Sequence, residues 1–467
     1  MKKKVWILLT DGVGIRNYTQ TNFQDKLPFS TLDVTWWNMS GMVLESQHFG
    51  KEITVDPAEI NKLTPLYSRA RKRLELDYWT EEFGDQVYKS YKFPFAYNNV
   101  RNTAKSILNN LIIKKYKGKK GICKLRKKIE ELERQTSYYK SCYHQLKEHK
   151  PDMVFSTSQR STKTIAPLLA AKDLGITTAS FIYSWDNVPK ALLVNEPDFY
   201  FVWSDLMKRE LLNYYEWIKP EQVLITGTPQ FGPHYNRRRL LKRTEFFEKY
   251  NLSPEKQYVC YSGDDLTTSP LDHLYLRDLA MAVEELNSSG YNLAIIFRKA
   301  PMDGTERYDP ILRKYSQVIT SIEPIRKSFG SAWNLLLPME EDFYLLSNLC
   351  EHCEMVVNVC SSMVFDFAIH DKPCVYINYE QPELRRGIRD IGQNYKYVHF
   401  RSMPSNDAVA WAESRSGLKA AVKHLLEDPA PTVEEAKEWL KIVAGKDPQK
   451  ASEAIWEAID KVSEKCT

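Results

Sequence analysis

The residues best suited to chemistry lie between Glu354 and Glu380, in EMVVNVCSSMVFDFAIHDKPCVYINYE. An apolar run that reads as a buried strand passes directly into a helix whose first residues are Ser361 and Ser362. Backbone N–H groups at a helix start lack intrahelical acceptors and lie at the positive end of the helix dipole, so they suit a phosphate or diphosphate. The two hydroxyls add donors, and Asp366 falls on the same helix face as Ser362, about one turn on. A carboxylate there can accept hydrogen bonds from a ribose whose diphosphate occupies the helix tip. The same residues also fit an ordinary βαβ unit in which Ser361 caps the helix and Asp366 is solvated.

Chemistry at a ligand hydroxyl would also need a base. Asp11 is the leading candidate, because it ends the first apolar run in the turn DGVGIRN, and such turns border ligand crevices in open α/β sheets. A plain N-cap aspartate is the alternative. Gly12 and Gly14 allow the chain close to a ligand, but Asn17 spoils a GxGxxG match, so a dinucleotide cofactor is not expected. Asp186 in SWDN is a second catalytic candidate; it and Lys190 hold the acceptor or form a structural ion pair. Trp185 offers a stacking face or fills a core. His48, His234 and His370 show no partner in the sequence and are expected to be structural. Asp264 and Asp265 are adjacent and point opposite ways when extended, so no Asp-x-Asp metal motif is expected at a strand end and the metal set is empty.

These residues need a scaffold. The 467 residues suit two domains better than one core. Short apolar strands alternate with amphipathic helices, the grammar of parallel sheets covered on both faces. Val5 to Leu9, Met153 to Phe155, Thr177 to Ile182, Phe199 to Trp203 and Val223 to Thr226 form the first series; YVCYSGDD, NLAIIF, MVVNV and CVYIN form the second. The expected division is 1–230 as one Rossmann-like domain with a basic helical insertion at about 101–150, 231–256 as a linker, 257–430 as a second Rossmann-like domain, and 431–467 as helices crossing back. Ser269 and Pro270 read as the start of one helix, and Pro431, Thr432 and Glu435 as the capping box of another.

The apolar run after MKKK is too short for a signal peptide, and no segment reads as a membrane span. Eight scattered cysteines point to reduced structural thiols, since Cys350 and Cys353 lack a second ligand pair for zinc. The formal charge of +5 is uneven: residues 101–150 hold 15 Lys and Arg against 4 Glu. That window suits a solvated hairpin or an anionic membrane surface; nucleic acid is not expected, because no recognition motif accompanies the charge.

The string CSSMVFDFAIHDKPCVYINYE resembles the donor-binding stretch of CDP-glycerol glycerophosphotransferases and related GT-B enzymes of surface-polymer synthesis, in which SSxxFD is followed by KP and a strand. FRKAP matches in charge a basic turn facing the diphosphate, although the usual His-Pro is absent. The segments around SWDNVPK and VLITGTPQF resemble the end of the family's N-terminal domain. The resemblance implies a GT-B fold, α/β with two Rossmann-like domains whose parallel sheets face an interdomain cleft. It implies a nucleotide donor in the second domain, met by Arg298, Lys299, Ser361, Ser362 and Asp366, and an acceptor in the first. It covers about 151–378, and residues before Pro151 match only in architecture. Gly263 at the donor, and Gly12, Gly14, Trp185 and Lys190 at the acceptor, are therefore expected from their own placement and chemistry. The expected function is metal-independent transfer of a sugar from a nucleotide donor, of CDP or CMP type, to a glycan or lipid-linked acceptor, with no separate cofactor. The expected location is cytoplasmic, peripheral on the inner membrane face. Transfer of an alditol phosphate from a CDP-alditol is the close alternative, and a non-catalytic nucleotide-binding scaffold at the membrane is the other. Nucleotide-sugar 2-epimerases share the fold, but no cluster of acids and histidines is legible to support that chemistry.

Overall fold

The computed structural model describes residues 2–464 except 43–50, 54–57, 301–302, 304, 331–335 and 385–389. His48 and Pro301 therefore lie outside the described residues. The chain divides into two compact units, one formed by Met1–Pro229 with Val443–Thr467, the other by Gln230–Ile442.

In the first unit the chain runs through β1 (Lys3–Leu9), α1 (Gly12–Thr19), β2 (Leu32–Asn38) and β3 (Glu52–Ile53). Five helices follow: α2 (Thr64–Glu82), α3 (Val87–Ser90), α4 (Val100–Lys115), α5 (Lys119–Arg134) and α6 (Ser137–His149). Then come β4 (Met153–Ser156), α7 (Ile165–Asp173), β5 (Thr177–Phe181), β6 (Phe199–Val202), α8 (Asp205–Tyr214) and β7 (Val223–Ile225). The strands form one parallel sheet in the order β3-β2-β1-β4-β5-β6-β7. Val5 to Leu9 are all buried, as a central parallel strand covered on both faces requires.

The second unit contains α9 (Arg243–Lys249), β8 (Gln257–Ser262), α10 (Asp272–Ser288), β9 (Leu293–Arg298), α11 (Asp309–Lys314), β10 (Ile319–Ser321), β11 (Arg326–Ser328) and β12 (Leu336–Pro338). It continues through α12 (Glu340–His352), β13 (Met355–Asn358), α13 (Met363–Ile369), β14 (Cys374–Ile377), β15 (Ala410–Ala412) and α14 (Arg415–Glu427). α15 (Ala430–Ala444) then leads to α16 (Ala451–Ser463) in the first unit. Its parallel sheet has the order β10-β9-β8-β13-β14-β15, and β11 with β12 makes a separate antiparallel pair.

Each sheet starts in its middle and reverses direction of growth once, between β1 and β4 in one unit and between β8 and β13 in the other. In doubly wound sheets the crevice at the carboxyl ends of the strands beside such a reversal is where ligands bind. That rule selects the turns after β1 and β4 in one unit and after β8 and β13 in the other.

Four local expectations change. The helical insertion begins at Thr64 rather than near Arg101, because Ala70 and Leu74 of α2 share a core with Ile112, Ile122 and Leu125 of α4 and α5. Residues 231–256 are not a free linker but part of the second unit: Phe246 stacks on His352 at 5.1 Å, and Arg243 donates to the carbonyls of His352 and Lys256. Helix α10 starts at Asp272, since Ser269 belongs to a turn in which its N–H donates to the Asp265 carbonyl. Helix α15 already includes Pro431 and Thr432, and its first bond runs from the Val433 N–H to the Pro429 carbonyl.

The chain's last helix is built into the first unit. Trp456 stacks on Phe23 with centroids 4.3 Å apart and donates its indole N–H to the Phe23 carbonyl at 2.7 Å. Gly227, at φ +75°, lets α16 approach, because a Cβ there would lie 2.8 Å from the Ala451 Cβ. Among the described residues no helix is long and apolar enough to cross a membrane.

Candidate functional site

In the second unit, β13 delivers the chain to Cys360, a non-glycine residue in the left-handed region at φ +47°, a conformation that costs energy and is retained only when its surroundings impose it. The imposing contacts are present. The Cys360 N–H donates to the Tyr395 hydroxyl at 3.1 Å, and that hydroxyl donates to the Ile377 carbonyl at 2.7 Å. The Ser361 N–H donates to Asn358 Oδ1 at 2.9 Å, the Met363 N–H to Ser361 Oγ at 3.3 Å, and the Tyr376 hydroxyl donates to the Ser361 carbonyl. The turn before α13 is therefore not the row of open amides that the spacing predicts, because side chains of its own unit take the N–H groups of residues 360, 361 and 363. The Ser361 and Ser362 hydroxyls stand at this turn, with Ser362 exposed.

Asp366, in the first turn of α13, is not an isolated surface carboxylate. Its Oδ1 lies 2.8 Å from Nε2 of His234, and its side chain is 15% exposed. His234 is buried in the 3-10 segment Pro229–Tyr235. The chain of contacts continues: His234 Nδ1 lies 3.1 Å from His370 Nε2, His370 Nδ1 lies 2.8 Å from Glu351 Oε2, and Arg237 lies 2.9 Å from the same carboxylate oxygen. The expectation that His234 and His370 lack partners is thus corrected. Burial first, and then the neighbouring His234, push the His370 pKa down to about 4, so this ring is neutral. Among the described residues no hydrogen bond is made by Oδ2 of Asp366, the oxygen with which the carboxylate can accept from a hydroxyl.

Arg298 closes β9 at the carboxyl edge of the same sheet. Its Nη2 donates to Asp342 Oδ2 at 2.8 Å, while Asp342 Oδ1 accepts from the Ile325 N–H. The other terminal nitrogen, Nη1, is buried and has no acceptor among the described residues. A buried donor left unmade costs about 1–3 kcal/mol, and more when charged, so an anion there would remove a standing penalty. Arg298 and Asp366 both act on the buried Cys350 thiol, with opposite sign, while burial pushes that thiol up. Lys299 donates to the Thr305 carbonyl.

Gly263 follows β8. A Cβ there would meet the Tyr308 hydroxyl at 3.0 Å and the Phe297 ring at 3.1 Å, so the glycine is needed for close packing of these rings. Asp265 is a turn residue, accepting from Thr267 and Thr268. Asp264, weighed in the sequence only as half of a metal motif, has its carboxyl held well above the usual range by burial, together with Asp272 and Asp265.

In the first unit Asp11 sits where β1 ends, 7% exposed. Its Oδ1 accepts from the Val13 and Gly14 N–H groups at 3.1 and 2.9 Å, and its Oδ2 accepts from the Thr10 hydroxyl. It is the N-cap of α1. Gly12 is buried, and Gly14 sits where a Cβ would lie 3.0 Å from Thr157 Oγ1, so it permits helix-to-strand packing. Asp186 pairs with Lys190 and also accepts from Asn187, while Trp185 is half-buried.

Distant residues join this group. Burial raises the Tyr183 hydroxyl, and Asp11, Arg160, Arg16 and Asp186 act on it, which brings Asp11 and Asp186 to one neighbourhood. Lys72 of α2 lies among Lys190, Arg71, Arg160 and Asp186; burial and these cations push its pKa down to about 8. Lys72, Arg160 and Tyr183 carry no motif, and only the tertiary fold reveals them.

Neither a protein-family model nor a curated protein matches the chain. Solved structures do. A protein of Listeria monocytogenes described as a UDP-N-acetylglucosamine 2-epimerase superposes with a TM-score of 0.56 at 12% identity, over 100% of this chain and 98% of that one. A glycosyltransferase of Rickettsia africae ESF-5 gives 0.52 at 11% identity over 100% of both chains. S. aureus MnaA, in a structure with UDP, gives 0.51 at 12% identity over 99% of this chain and 97% of its own. The shared feature is the fold, which is GT-B: two Rossmann-like domains, each built on a parallel sheet.

Proposed function

We propose that the chain is a metal-independent, cytoplasmic GT-B glycosyltransferase of surface-polymer synthesis, which holds a nucleotide-activated sugar in its second unit and moves the sugar to a glycan or lipid-linked acceptor held by its first. The observation that carries this reading is Arg298, a buried cation at the carboxyl edge of the donor-type sheet, anchored on Asp342 through Nη2 and without an acceptor for Nη1 among the described residues. A diphosphate oxygen suits that nitrogen, and Arg is the side chain whose planar fork best matches phosphate.

In this reading the nucleotide's diphosphate meets Arg298, Lys299 and the Ser361 and Ser362 hydroxyls, and its ribose hydroxyls donate to Asp366. The acceptor hydroxyl oxygen attacks the anomeric carbon as the bond from that carbon to the diphosphate oxygen breaks. The electron pair leaves on the nucleoside diphosphate, where fixed cations stabilise it, and the hydroxyl proton passes to Asp11. Asp186 and Lys190 position the acceptor, with Trp185 beside them.

The SSMVFD string favours a second reading, attack at phosphorus of a CDP-alditol with release of CMP. For 2-epimerisation the newly found His234–Asp366–His370 cluster is the relevant group, but both rings are buried, at 1% and 4% exposure, which makes the cluster a positioning element for Asp366. Incubation with UDP-, CDP- and GDP-activated donors, with and without a glycan–lipid extract, separates the three. Transfer releases nucleoside diphosphate only with acceptor, alditol-phosphate transfer releases CMP, and epimerisation carries solvent deuterium to C2 without acceptor. The last outcome rejects the proposal.

A further inference from the structure

Between Asp85 and Glu130 the chain has no carboxylate side chain, and 13 Lys and Arg fall in that interval. The same interval carries a concentration of exposed apolar side chains. Of the 14 large hydrophobic residues exposed among the described residues, six lie between positions 93 and 111: Phe93 at 73%, Tyr97 at 58%, Val100 at 88%, Ile107 at 53%, Leu108 at 44% and Leu111 at 56%.

Their arrangement follows from α4. Asn99 caps this helix by accepting from the Asn102 N–H. Ser106, Asn109 and Ile112 are its buried residues, the last sharing a core with α2 and α5. At about 100° per residue, Val100, Ala104, Ile107, Leu108 and Leu111 then fall on the opposite face, so an apolar stripe points away from the protein. The segment before α4 is fastened in place: Arg69 donates to the Pro94 carbonyl at 2.8 Å and Arg73 to the Phe93 carbonyl, and the Arg73 guanidinium sits 4.0 Å from the centre of the Phe95 ring. Phe93 is thereby presented on an ordered support.

The cations divide into two sets. Arg126 is buried between Glu75 and Glu196, and Lys119 pairs with Glu216, so these are structural. Arg101, Lys105, Lys114, Lys115, Lys117 and Lys120 are exposed beside the stripe.

We infer that α4 and the segment 93–97 form a docking surface for an anionic lipid bilayer, with the apolar stripe entering the headgroup boundary and the flanking cations meeting lipid phosphates. Charge decides the occupant. A second copy of this chain would oppose cation to cation, whereas an outward apolar helix face edged by Lys and Arg is the pattern of helices that lie in the plane of a membrane surface. The inference stands whether or not the chain transfers a sugar. It narrows the expected contact from the window 101–150 to α4 and the segment before it, because the buried Ile122, Leu125, Arg126 and Ile129 turn one face of α5 inward.

The test is co-sedimentation of the full chain with vesicles of phosphatidylcholine alone and of phosphatidylcholine mixed with phosphatidylglycerol. Binding to the mixed vesicles is expected, reduced by added salt. The variant Ile107→Glu with Leu111→Glu, whose positions are exposed and whose melting temperature is expected to be unchanged, is expected to bind roughly tenfold more weakly or less. A variant with Lys114, Lys115, Lys117 and Lys120 changed to Gln is expected to lose the preference for phosphatidylglycerol. Failure of the wild type to bind the mixed vesicles, equal binding by the Glu variant, or a dimer in ultracentrifugation that the Glu variant dissolves would each overturn the proposal.

Discussion

Nε2 of His234 and Oδ1 of Asp366 stand 2.8 Å apart, the imidazole fully enclosed and the carboxylate side chain 15% exposed. A buried donor that occupies one carboxylate oxygen fixes the direction of the other. Asp366 is thus oriented by protein before any ligand arrives, which reduces the ordering cost of binding.

His234→Ala is expected to raise the KM for the donor about tenfold, equivalent to about 1.4 kcal/mol, with little change in kcat, because it removes orientation and not chemistry. The folded state is expected to lose about 1–3 kcal/mol as Asp366 and His370 lose a partner. Steady-state kinetics and urea unfolding measure the two effects separately.

Arg298→Met leaves Asp342 without its cation, and breaking such a buried pair costs about 3–5 kcal/mol. The double variant Arg298→Met with Asp342→Leu is expected to recover most of that stability while still failing to bind nucleoside diphosphate. Recovery of both, by melting and by calorimetric titration, would detach Arg298 from the ligand.

The His370 ring, held near a pKa of about 4 against an ordinary 6.5, gives a pH dependence with a definite sign. As pH falls below 6.5 the unfolded chain takes up this proton first. The stability contributed by the neutral buried ring is therefore fully present above 6.5 and is lost as pH falls towards 4, by up to about 3 kcal/mol. Urea unfolding at pH 7 and pH 4.5 is expected to show a smaller loss in His370→Asn than in the wild type.

Asp11 separates folding from turnover. Asparagine caps helices as well as aspartate does, whereas alanine loses about 1 kcal/mol. Asp11→Asn is expected to keep the melting temperature and nucleotide affinity and to lose turnover; unchanged turnover would assign Asp11 to capping alone.

The sheets were legible because VWILL, NLAIIF and MVVNV are near-continuous apolar runs, the mark of parallel strands buried on both faces. Arg298 was legible as a cation ending such a run, and Asp366 as a carboxylate one turn into a helix. Contacts between distant residues were not. Nothing near Asp366 in sequence announces His234, and nothing near Ser361 announces that Tyr395 would take the amide of Cys360. Residues 231–256 read as a linker because they are polar and basic, yet Phe246 and Phe247 are buried and fix them to the second unit. Lys72 lies on a helix remote in sequence from SWDN, so its place beside Asp186 and Lys190 has no local signature.

The most direct test of the account is a melting-temperature titration with UDP, CDP and GDP on the wild type and on Asp366→Asn. One of the three is expected to stabilise the wild type, by about 2.7 kcal/mol once it exceeds its Kd about a hundredfold, and to stabilise the variant markedly less. No shift with any of them at millimolar concentration, or an equal shift in both proteins, would contradict the placing of a nucleotide at Arg298 and Asp366.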